Sequence, residues 1–179
     1  MSAVASRYAR ALADVVFSDK LDPAKTVQDI QTIAQFVDAN LDLRAVWVIP
    51  SIPIEQKLKL LDAIASTAGL TRQVRNFVAI LIEKRRLNMM ADLIVQLKIE
   101  LNERMGIAEA DVLSARVLAD DERRTLESQI AKATGKTVRA QYEQDKNLLG
   151  GATVKVGSTI YDGSVRGQLQ KMKAQIAGQ

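Results

Sequence analysis

The segment LLGGATVKVGSTIYDGSVRGQLQKMKAQI, Leu148–Ile176, decides how the second half of the chain is read. Its glycines are Gly150, Gly151, Gly157, Gly163 and Gly167, and Gly135-Lys136-Thr137 stands just upstream. The question is whether they cradle a phosphate or bend a chain. A phosphate loop needs Gly, four residues, then Gly-Lys-Ser/Thr between a strand and a helix. Here the first glycine position is occupied by Ile130. The pattern also places Gly135 at the end of a helix and Thr137 at the start of a strand, the reverse of the required order. No G-x-G-x-x-G occurs, and Ser164 stands after Gly163 where lysine is needed. The glycines therefore read as turns. Gly150-Gly151 lets two antiparallel strands meet through positive φ. Asp162-Gly163 marks a second turn, with Asp162 or Ser164 able to cap a closing helix.

Outward from that segment, the period alternates between two and about 3.6. Asp111 to Leu118 reads as a strand with Leu113, Ala115 and Val117 on one side. Asp120 then caps a helix with Leu126, Ile130 and Ala133 inward, stopped by Gly135. Thr137 to Lys146 alternates through Val138, Ala140 and Tyr142, and Ala152, Val154 and Val156 alternate beyond the Gly-Gly pair. From about Ser164, Val165, Leu169, Met172 and Ile176 form a helical stripe, with Gly167 in its first turn allowing close packing on the sheet. Residues 106–179 are thus a small α+β domain.

Residues 1–105 read as helix after helix. Ala5, Tyr8, Leu12 and Val15 recur at three-and-four spacing, flanked by Ala9, Ala11 and Val16. Asp22 caps and Pro23 opens a second helix with Val27, Ile30, Ala34 and Val37. A short apolar stretch, Leu41 to Ile49, holds the single tryptophan, Trp47. Ser51 is the expected cap of a helix with Ile54, Leu58, Leu61 and Ala65, ended by Gly69. Thr71 opens another, with Val74, Phe77, Val78 and Leu81. Asn88 caps the last, with Met90, Leu93, Ile94, Leu97 and Leu101, ended by Gly106. Six helices on short loops predict an all-α antiparallel bundle ahead of the α+β domain.

The chain has 179 residues, 47% hydrophobic and 26% charged, with aromatics at only 4%. It has no cysteine and no histidine, so the usual zinc sites, cysteine nucleophiles and imidazole mechanisms are excluded. No carboxylate or lysine constellation gathers, and Asp120-Asp121-Glu122 reads as a helix N-terminus. No catalytic residue, cofactor site or metal site is expected. The formal charge of +4 divides evenly between the two halves, and its longest basic run is Lys84-Arg85-Arg86. An RNA-binding module is the alternative suggested by the basic balance, but interleaved aromatics and a G-x-x-G clamp are lacking. No apolar run reaches a membrane span, so the chain is expected to be soluble and to meet a membrane only through partners.

The run DKNLLGGATVKVGSTIYDGSVR, residues 145–166, closely resembles the signature of the delta subunit of F-type ATP synthases, a family that includes the mitochondrial oligomycin-sensitivity-conferring protein. Its marks are an apolar pair before Gly150-Gly151, the V-K-V-G ending at Gly157, and I-Y-D-G-S-V-R-G-Q-L, which contains Asp162, Gly163, Ser164 and Arg166. Ser6-Arg7-Tyr8-Ala9-Arg10-Ala11-Leu12 resembles the family's R-Y-A-x-A-L opening. Asn76-Phe77 and Leu81 to Leu87 resemble its L-x-E-N-x-R-L helix, with Lys84 in place of the common asparagine.

The resemblance implies a six-helix bundle followed by an α+β domain, acting as a non-catalytic stator in ATP synthesis and proton transport. It implies that the first and fifth helices bind an N-terminal amphipathic helix of an alpha subunit, and that the C-terminal domain receives the b subunits of the peripheral stalk. It places the protein peripherally, on the cytoplasmic face of the bacterial inner membrane, with no homo-oligomer and no nucleic acid. A groove between two helices accepts an amphipathic helix through apolar anchors. Tyr8, Ala11 and Val15 are the expected lining of one wall and Phe77 and Ile80 of the other, with Lys84 at the rim and Leu12, Val16 and Val78 turned to the core.

Overall fold

The computed structural model describes residues 3–145, 148, 150–157 and 159–163. The chain divides into two compact units, residues 1–101 and 102–179. The expected helix from Ser164 onward, with Arg166 and Gly167, lies outside the described residues.

The first unit is helical. Its elements are α1 (Ala3–Ser18), α2 (Pro23–Ala39), α3 (Leu41–Val48), α4 (Ile54–Ala68), α5 (Arg72–Glu83), a 3-10 turn (Leu87–Met89) and α6 (Met90–Arg104), which runs past the division. The apolar spacing of the sequence finds its cause in one core. Leu12, Val16, Ile30, Ile33, Trp47, Leu61, Val74, Val78, Leu81, Leu93 and Leu97 are all buried within it. Each such side chain contributes about 1.5–3 kcal/mol by leaving water.

Some local expectations hold and others shift. The Asp22 carboxylate accepts the Ala24 N–H at 2.9 Å, as a cap should. The stretch from Leu41 is a true helix, because the Asn40 side chain accepts the Leu43 N–H at 3.1 Å and supplies a cap. Ser51 does not cap α4. Pro53 holds that position, whose extended backbone suits proline's fixed φ. Thr71 is at the N-cap of α5, yet its side chain makes no capping bond. Asn88 lies inside the 3-10 turn instead of capping α6.

Two buried charges hold helix ends together. Asp29, 1% exposed, accepts the Thr71 N–H at 2.9 Å and pairs with Lys25 at 2.7 Å, so α2 satisfies the start of α5. Lys57 donates from Nζ to the Ile49 and Trp47 carbonyls at 2.7 and 3.2 Å, and the Trp47 indole N–H donates back to the Lys57 carbonyl at 3.3 Å. A cation over the last carbonyls of α3 is favoured by the helix dipole.

The second unit contains β1 (Ile107–Ser114), α7 (Asp120–Thr134), β2 (Thr137–Gln144), β3 (Ala152–Val156) and β4 (Thr159–Asp162). The sheet order is β2-β1-β3-β4, with β1 and β2 parallel and the other pairs antiparallel. Among the described residues the core is Ala110, Val112, Ile130 and Val154.

β1 starts four residues before the expected Asp111, and its inward face is the opposite one. Ala108, Ala110, Val112 and Ser114 are buried, while Leu113 is 37% and Val117 67% exposed. The register begins with Ile107 against Thr137, and the Gly106 carbonyl accepts the Thr137 N–H at 2.8 Å. One residue of phase exchanges the two faces of a strand. On α7, Leu126 and Ile130 pack inward as expected but Ala133 is exposed. Asp120 is not the cap of α7. Ala119 is, and its N–H donates to the Glu122 carboxylate at 2.9 Å.

Gly150-Gly151 does not close a hairpin, because β3 pairs with β1 and not with β2. Gly151, with φ of 80°, brings the chain into β3, where its carbonyl accepts the Ala115 N–H at 3.2 Å. The tight hairpin is between β3 and β4, where Val156 faces Thr159 and Gly157 takes φ of 58°.

Candidate docking groove

Tyr8, Ala11 and Val15 share i, i+3, i+7 spacing on α1, as do Phe77, Ile80 and Lys84 on α5, so each set shares a helix face. Lys84 itself is the C-cap of α5. Their burial separates roles. Phe77 is 8% exposed and belongs to the core, so it forms a floor and not an outer wall. Tyr8 is half-buried, Ala11 and Lys84 are exposed, and Val15 and Ile80 are 37% and 45% exposed. Leu12, Val16 and Val78 are buried. Ala5, Ala9 and Ala13 are also buried on α1, where small side chains let the helix settle close to its neighbours.

Tyr8 ties the two helices together at the groove. The Tyr8 and Phe77 rings meet edge to face, with centroids 6.3 Å apart and planes at 69°. Arg86, just beyond α5, donates from Nη1 to the Tyr8 hydroxyl at 2.7 Å, and its guanidinium carbon lies 5.3 Å from the ring centroid. Arg86 reaches back because α5 ends in a reversed turn. Its N–H donates to the Leu81 carbonyl at 2.8 Å, and Arg85 takes φ of 55°, a conformation usually left to glycine. In the sequence Arg86 stands out only as part of a longer pattern. The signal it carries there, a basic residue just past a helix end, does not name its target.

At the rim, Lys84 pairs with Glu83 at 2.8 Å, and that contact raises the Lys84 pKa. The pair is solvent-exposed and adjusts surface charge without creating a nucleophile. No group of His, Cys, Asp or Glu able to hold a metal occurs among the described residues, and no helix there is long and apolar enough to cross a membrane.

In the second unit, Gly135 is the left-handed C-cap of α7 with φ of 68°, and its N–H donates to the Ala131 carbonyl at 2.8 Å. Helix therefore precedes strand at Gly135-Lys136-Thr137, and no phosphate cradle forms. The Gly163 N–H donates to the Ala152 carbonyl at 3.1 Å, and a Cβ there would come within 3.2 Å of that oxygen. Asp162 ends β4 opposite Thr153, and Gly150 lies in a bend beside Gly151. Ser164 and Arg166 lie outside the described residues.

The family described as ATP synthase delta (OSCP) subunit matches residues 4–176. An ATP synthase subunit delta of Koribacter versatilis is 46% identical over 177 residues, covering 99% of each chain. The subunit delta of Acidobacterium capsulatum is 37% identical over the same coverage. A chain in the Toxoplasma gondii mitochondrial ATP synthase hexamer, 17% identical, has a similar fold, with a TM-score of 0.65 over 98% of each chain.

Proposed function

The chain belongs to the family of ATP synthase delta (OSCP) subunits, and from that membership we propose how its two units divide the work. The protein is a non-catalytic stator of the F-type ATP synthase, part of the peripheral stalk that holds the catalytic head against rotation. The observation that carries this reading is the reach of the family match, residues 4–176, which takes in both units.

In our reading the six α-helices of the first unit form the bundle that binds the N-terminal amphipathic helix of an alpha subunit. Val15, Ala11 and Tyr8 offer one wall, Ile80 the other and Phe77 the floor, with Lys84 at the rim. The α+β unit receives the b subunits. The glycines at Gly151 and Gly157, of positive φ, and Gly163, paired with Ala152, shape it for that contact, and Ser164 and Arg166 complete the family signature. The protein then sits on the cytoplasmic face of a bacterial inner membrane, held there by its partners. A stator under torque needs slow dissociation and no chemistry, and buried apolar anchors supply that.

Titration calorimetry of the full chain with a synthetic alpha-subunit N-terminal peptide tests the groove. Tyr8→Ala and Ile80→Asp are each expected to raise Kd at least about fivefold, roughly 1 kcal/mol or more. If both variants bind as the parent does, the groove is elsewhere.

A further inference from the structure

The two edges of the sheet are built differently. β4 has four residues, whereas β2, TVRAQYEQ, has eight and contains neither proline nor glycine. Edge strands are commonly shortened or interrupted, because a free row of amides and carbonyls recruits other chains. β4 obeys that rule, whereas β2 is blunted only by the exposed charges of Arg139 and Glu143. Among the described residues β2 pairs with β1 alone, and none of them pairs with its outer row. An open cleft of about 710 Å³ lies where α7 meets the start of β2, bounded by Arg124, Ser128, Ala131 and Lys132 of α7 and by Lys136 and Val138.

Cations outnumber carboxylates in the cleft three to one. Arg124, Lys132 and Lys136 make no ion pair among the described residues. The one carboxylate lining it, Glu127, already accepts the Tyr142 hydroxyl at 2.9 Å. Arg124 and Lys132 lie on α7 and Lys136 just beyond its C-cap, so the helix and its exit into β2 gather them.

We propose that the β2 edge takes up an extended acidic segment of a peripheral-stalk partner as a fifth strand. The inference rests on the stator reading and names the surface and the chemistry of the contact. Main-chain hydrogen bonds along β2 supply affinity, and alternate carboxylates of the segment meet Arg124, Lys132 and Lys136. An incoming helix would leave the row of β2 amides unpaired, whereas a strand satisfies it.

The chain has no cysteine, so Gln141→Cys gives a single attachment point on β2 for a benzophenone maleimide. In the assembled synthase, illumination is expected to cross-link it to a stalk-subunit segment richer in Asp and Glu than in Lys and Arg. Every second β2 amide is expected to exchange at least about tenfold more slowly in the complex than in the free chain. A Lys132→Glu, Lys136→Glu double variant with unchanged far-UV circular dichroism is expected to lower the cross-link yield about fivefold or more. Cross-links only to residues 164–179 of the same chain, to a second copy or to nothing overturn the proposal. So do unprotected β2 amides, or a yield indifferent to the charge reversal. A chain that never enters the synthase overturns the stator reading as well, whereas normal assembly with free β2 amides overturns this proposal alone.

Discussion

Arg86 shows how one side chain outside an element can fix the relation between two of them. It contributes both a hydrogen bond and a cation–ring contact to Tyr8, and Tyr8 in turn rests its edge on Phe77. Arg86→Met keeps much of the apolar stem and removes both contacts. A loss of about 2 kcal/mol in urea denaturation is expected, the low ends of a charged hydrogen bond and a cation–π contact added together. Weaker binding of the alpha peptide should accompany it, because the Tyr8 ring loses its fixed position. Single residues of this sort are the least legible part of the sequence. The amphipathic character of Tyr8 marks it, but its partner stands 78 positions away. Asp29 and Lys57 are equally hidden, since a lone charge within an apolar pattern reads as exposed until a helix end is found beside it.

Elements are most legible where their apolar positions are large. The 3.6-residue period in residues 1–105 marks the helices because Leu, Ile, Val and Trp lie on the inward side. β1 is misphased by the same pattern for the opposite reason: of its inward residues, Ala108, Ala110 and Ser114 are small or polar, with only Val112 larger, whereas Leu113 faces out. Hydrophobicity alone selects the wrong face there, and the register set by Thr137 decides it. The start of α7 is a second case. Arg116 donates from Nη1 to the Glu122 carboxylate at 2.8 Å, and with the Ala119 N–H it lowers the Glu122 pKa from 4.5 to about 2. A depressed carboxylate stabilises the fold above its unfolded pKa and loses that contribution as pH falls toward the folded one. Glu122→Gln is therefore expected to melt at lower temperature than the parent at pH 7. The gap should narrow between about pH 4.5 and pH 2 and vanish below it. A gap constant across that range would show that Glu122 acts by shape and not by charge.

At the scale of the whole molecule the apolar clusters of the two units differ in size among the described residues. The first gathers eighteen buried apolar residues, from Ala9 to Leu101, into one cluster. The second has four among the described residues, and small domains lie close to the limit of independent stability. Scanning calorimetry of the full chain should accordingly resolve two transitions, with the lower one belonging to the α+β unit. Gly151→Val assigns them. Gly151 holds φ of 80°, which a β-branched residue adopts only under strain, so the lower transition should fall by several degrees while the upper one stays in place. A single transition that moves as a whole would mean that the units unfold together. Two transitions of which only the upper responds would mean that the helical unit is the weaker. In the synthase, the partner that binds the α+β unit should raise the lower transition alone, because a ligand stabilises only the unit whose native state it binds.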